Sequence, residues 1–95
     1  MTSFTAGGDL KEWHKLYHDR GITASKGLYF GYVAGIVDGL IAVSGETYFN
    51  IPWYITVEDM TAVVDHYVTK NYRAIDDNSP AVSVIAKALN EKWPA

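Results

Sequence analysis

His14 and His18 stand four residues apart, a spacing that on a helix puts both imidazoles on one face and offers two of the three or four ligands of a zinc site. The remaining ligands would have to come from groups such as Asp19 or His66. No spacing fixes either one nearby, so the pair reads as a solvated or partner-facing surface and no metal site is expected. Asp38 is the one charge in an apolar stretch, residues 27–43 (GLYFGYVAGIVDGLIAV). An unpaired buried carboxylate is costly. Asp38 is therefore expected to accept hydrogen bonds from a neighbouring helix terminus or to pair with a cation, not to act as a catalytic acid. No Ser/His/Asp or Cys/His set, phosphate-binding glycine loop or pair of glycosidase carboxylates can be located. An acid/base pair would need Asp38 or His66 and a partner that the sequence does not place, so neither an enzyme nor a cofactor is expected.

Recognition chemistry is better marked. Tyr48, Phe49, Trp53 and Tyr54 fall within seven residues, and Tyr and Trp dominate binding hot spots. Phe49 and Ile51 are expected to turn inward, leaving Tyr48, Trp53 and Tyr54 as contacts. Glu46, Asp76 and Asp77 are their candidate charged neighbours. The expected partner is a protein, a toxin or a host defence protein. A different class of function is a small-molecule binder with a pocket between the glycine-rich helix and Tyr32 or Trp53.

Four helical segments position these residues. The first begins at Asp9 as N-cap, with Glu12 closing a capping box, and lines Leu10, Trp13, Leu16 and Tyr17 along one side before Gly21 ends it. The second, about residues 25–44, is apolar nearly all round, with Gly27, Gly31, Gly35 and Gly39 on neighbouring positions of one face. Each helix-interior glycine costs about 1 kcal/mol against alanine, so close approach by another helix is expected there. A membrane span is disfavoured by the segment's length and by Asp38. Thr56 and Asp59 form a capping box for the third helix, whose stripe is Met60, Val63, Val64, Tyr67 and Val68, with Asp65, His66, Thr69 and Lys70 outward or marginal. Ser79 and Pro80 open the fourth, with Val82, Ile85, Ala86, Leu89 and Trp93 inward.

The expected fold class is all-α, a compact bundle of four principal helices with an aromatic loop between helices 2 and 3. A chain of 95 residues has material for one core only, so residues 1–8 read as a flexible N-terminal segment and 9–95 as a single helical domain. Eight cationic side chains against eleven acidic ones give −3, which argues against nucleic acid as partner. Residues 1–8 (MTSFTAGG) lack the basic and apolar regions of a signal peptide. A cytoplasmic location is expected, or a periplasmic one if a leader has been removed. Cysteine is absent, which excludes disulfides and thiolate metal sites.

Several ordered segments resemble a known family. They are Gly-Tyr-Val-Ala-Gly-Ile-Val-Asp-Gly-Leu (31–40), the Phe49-Asn50-Ile51-Pro52 turn, the Ile55-Thr56 lead-in, and Ser-Pro-Ala-Val-x-Val-Ile-x-x-Ala-Leu-x-x-x-Trp-Pro (79–94). Over residues 27–95 the chain is similar to the Tai-type (type VI amidase immunity) proteins. The resemblance implies a small helical fold, a homodimer formed through an apolar helix face, and no catalysis. It also implies that the protein protects by plugging a peptidoglycan amidase delivered by type VI secretion, often with an inserted loop. Gly31, Gly35, Asp38, Gly39, Phe49, Pro52 and Trp93 are then structural. Members of that family typically carry cysteines where this chain has Asn50 and Ala95. If those two form one disulfide, the loop here must be held by packing of Phe49, Ile51, Pro52 and Trp93, in a compartment where disulfides do not form. An inhibitor of a host system, phage-encoded or cytosolic, and a protein that sequesters a small signalling molecule are the alternatives.

Overall fold

The computed structural model describes residues 5–20, 23–44 and 50–94. Four helices follow in order: α1 (Gly7–Arg20), α2 (Thr23–Ser44), α3 (Val57–Lys70) and α4 (Ala81–Lys92). They form the expected all-α bundle, and every pair of helices is in contact. Leu10 of α1, Tyr29, Val33 and Val37 of α2, Met60, Val64 and Val68 of α3, and Val84, Ile85 and Leu89 of α4 meet in one core.

The start of α1 differs from its expected place. The helix begins at Gly7, and the Asp9 carboxylate accepts from the Ala6 backbone N–H at 2.8 Å. Asp9 is thus the reach-back residue of the first turn instead of its N-cap. Thr5 to Gly8 belong to the domain, because the Gly7 N–H donates to the Ser79 carbonyl (2.7 Å), the Gly8 N–H to that of Asp77 (3.0 Å), and the Ala81 N–H to that of Thr5 (2.9 Å). Residues 1–4, the rest of the segment expected to be flexible, lie outside the described residues, as does Gly21. These bonds also explain why α4 begins at Ala81 with an extended Pro80 before it, one residue later than expected. The Ala6–Pro80 bridge occupies the backbone groups that a cap would otherwise use.

In α3 the Thr56–Asp59 capping box forms as expected: the Asp59 N–H donates to Thr56 Oγ1 at 3.1 Å, and the Thr56 N–H to Asp59 Oδ2 at 3.2 Å. Its buried stripe is wider than the apolar pattern, however. Thr61 and Asp65 are buried beside Met60, Val64 and Val68, because α1 and α2 both pack on that side. In α4 the stripe falls on Ala81, Val84, Ile85, Ala88 and Leu89, with Val82 and Ala86 only half-buried.

The largest correction concerns α2. A Cβ built on Gly27, Gly31, Gly35 or Gly39 would meet nothing within 4 Å among the described residues, so none of the other described helices approaches that stripe. At about 100° per residue, Tyr29, Val33 and Val37 define the covered face and the glycines the opposite one. Three neighbours can cover only part of a fourth helix. The face left open carries Leu28, Gly31, Gly35, Asp38, Ile41 and Ala42, all exposed. Asp38 is therefore hydrated, and the buried partner expected for it is not required. No helix among the described residues is long and apolar enough to cross a membrane.

Among the described glycines, Gly7 has the closest approach. A Cβ there would lie 2.3 Å from the Asp76 carbonyl oxygen and 2.8 Å from Ile75 Cγ2.

Candidate functional site

The i, i+4 spacing of His14 and His18 works as expected: α1 directs both rings to the same side, centroids 4.5 Å apart. What they meet is Asp65, on the broadened stripe of α3. His14 Nδ1 lies 2.7 Å from Asp65 Oδ1, and His18 Nε2 lies 2.5 Å from Oδ2. Tyr29 of α2, fully buried, donates its hydroxyl to Asp65 Oδ1 at 3.1 Å. A carboxylate only accepts, so three donors converge on one acid where α1, α2 and α3 meet. Burial, and after it the negative charge of Asp65, pushes the Tyr29 phenol far above the ordinary tyrosine range, which keeps it a donor.

His14 is largely covered, whereas the His18 side chain is 51% exposed. Beside His18 opens a cleft of about 280 Å³, lined in part by Tyr17, Glu58, Thr61 and His66. Asp65 was expected at the helix margin and Tyr29 only as part of an apolar run. The one signal for Asp65 is its i, i+4 spacing from Thr61 beside the apolar stripe, a pair that a helix covered on two sides also buries.

The second feature is the loop leading into α3. Trp53 is 94% exposed and Tyr54 65%, their rings nearly perpendicular at 5.9 Å. The turn is held from below: the Ile55 N–H donates to the Pro52 carbonyl at 3.1 Å, Ile51 and Ile55 pack on the core, and the Asn50 N–H donates to the Trp93 carbonyl at 2.9 Å. A backbone hydrogen bond thus joins the loop to the C-terminal end of α4, where Ile51 and Trp93 pack on the core. Glu46, Tyr48 and Phe49 lie outside the described residues, as does Ala95.

The other expected contacts are elsewhere. Asp76 accepts from the Asn78 N–H at 2.8 Å, and Asp77 pairs with Lys11 at 2.8 Å. Both precede α4, whereas the aromatic turn is tied to its end; twelve helical residues, about 18 Å at 1.5 Å per residue, separate the two. The acidic linker and the aromatic loop do not form one patch. Acidic neighbours of the loop come instead from the first turn of α3, where Glu58 and Asp59 are exposed. Tyr32 packs at a tilt against Trp13 of α1, with centroids 5.5 Å apart, and not over the glycines. His66 is exposed between the cleft beside His18 and a second of about 330 Å³ lined by Val63, Tyr67, Ala88 and Glu91.

Compared with known sequences, the chain matches the family model of the Rap1a immunity proteins over residues 6–95. No curated protein and no solved structure matches it.

Proposed function

The chain belongs to the Rap1a immunity protein family, and from that membership we propose that it neutralises a toxin by direct binding, without catalysis, using the Trp53–Tyr54 turn as its anchor. The observation that carries this reading is the near-complete exposure of Trp53 on a turn whose base is packed and hydrogen-bonded. A rigid aromatic held out in water gains most by entering a partner's pocket and loses little side-chain freedom on doing so. Glu58 and Asp59 beside it favour a toxin surface with cationic groups around an apolar slot.

The motifs at 31–40 and 79–94 support a peptidoglycan amidase of type VI secretion as the first toxin to test, its cleft occluded by the aromatic turn. Binding within the producing cell before export needs no disulfide, which accords with a chain lacking cysteine. The open face of α2, with Leu28 and Ile41 exposed, supports a homodimer. The test is calorimetry against the toxin encoded beside the gene. Trp53→Ala should weaken binding by about 2 kcal/mol or more, roughly thirtyfold, while the bundle melts unchanged. Unaltered affinity in a Trp53→Ala/Tyr54→Ala double variant would remove the turn from the interface.

A further inference from the structure

The cluster on Asp65 has a second use that the immunity reading does not require. Two imidazole nitrogens and one carboxylate oxygen, from His14, His18 and Asp65, lie within 4.8 Å of one another. A tetrahedral zinc ion with bonds of about 2.0–2.1 Å holds its ligand atoms on the order of 3.3 Å apart. The present spacing brackets that value: the rings sit closer to the carboxylate, at 2.5 and 2.7 Å, so separating them by about 0.6–0.8 Å opens room for an ion. We infer that His14 Nδ1, His18 Nε2 and the Asp65 carboxylate form a Zn²⁺ site bridging α1 and α3.

Three further features fit. Two nitrogens and one oxygen suit a borderline ion such as Zn²⁺ and not Mg²⁺ or Ca²⁺, which take oxygen shells. The Tyr29 hydroxyl bonded to Asp65 Oδ1 is the outer-shell donor that orients a ligating carboxylate. The half-exposed His18 and the adjoining cleft give the ion a path in and a place for water as fourth ligand. On binding, each ring carries its hydrogen on its other nitrogen, leaving the facing one free to ligate. The ion then ties two helices together in a chain that has no cysteine to do so.

The test uses the untagged full chain freed of metal by EDTA dialysis, titrated with ZnCl₂ by calorimetry and scanned for its melting temperature, with MgCl₂ in parallel. One Zn²⁺ per chain is expected, with a melting rise of about 10–20 °C at about a hundredfold excess over Kd. Co²⁺ in place of Zn²⁺ should give the visible absorption of a tetrahedral centre. His18→Ala, at a half-exposed position, should melt like the metal-free chain and lose both the heat and the rise, and Tyr29→Phe should bind about tenfold more weakly. No heat and no rise in the unmodified chain would overturn the site. So would binding retained in His18→Ala, an equal response to Mg²⁺, or one ion per two chains.

Discussion

Replacing glycine by alanine should have opposite signs at two places in this small domain. Gly31 and Gly35 lie inside α2 with nothing among the described residues within 4 Å of an added Cβ, so alanine there brings its helix propensity, about 0.8–1.0 kcal/mol per site. The Gly31→Ala/Gly35→Ala double variant should gain about 1.6–2 kcal/mol, because helix propensities sum along a helix. At about 4–8 °C per kcal/mol for a domain of this size, the melting temperature should rise by about 6–16 °C.

At Gly7 the added Cβ would stand 2.3 Å from the Asp76 carbonyl oxygen. Relief requires moving backbone whose hydrogen bonds tie the start of α1 to the residues before α4. A cost of about 1–3 kcal/mol follows, as for other overpacked sites. Urea unfolding followed by circular dichroism reads both signs at low micromolar concentration. Destabilisation by the α2 pair under those conditions would refute the open-face assignment and mean that something packs on the stripe. If the homodimer uses this face, the same variant should be more stable as a monomer yet dimerise more weakly by light scattering.

Other substitutions probe the remaining features. Trp53→Ala should change unfolding free energy by no more than about 0.5 kcal/mol, as surface positions do; a larger loss by urea titration would make the ring structural. Asp65→Ala leaves the buried Tyr29 hydroxyl without its acceptor and should cost about 1–3 kcal/mol, measurable in the same way. Tyr29→Phe in that background should recover part of it. Thr56→Ala removes the acceptor of the Asp59 N–H and should cost about 0.5–2 kcal/mol, with Thr56→Ser close to the unmodified chain.

The sequence by itself determined the helices and most of their inward residues. Apolar periodicity and capping chemistry are local, and the Thr56–Asp59 box could be read from four consecutive residues. It also marked Trp53 and Tyr54 as exposed aromatics, since rings in a Pro- and Asn-broken segment have no helix face on which to hide. Which face of α2 stays open was decided only by the tertiary structure. An all-round apolar helix has no periodicity to say where its neighbours sit, so its glycines invite a close partner that none of the described helices supplies, and Asp38 invites a burial that it does not have. Asp65 is illegible for the complementary reason: a polar residue becomes buried when two further helices converge on it, and that convergence depends on residues 36, 47 and 51 positions earlier in the chain. The spacing of His14 and His18 was legible from the start, but the carboxylate they share, 36 positions beyond the tyrosine that holds it, exists as a neighbour only in the folded bundle.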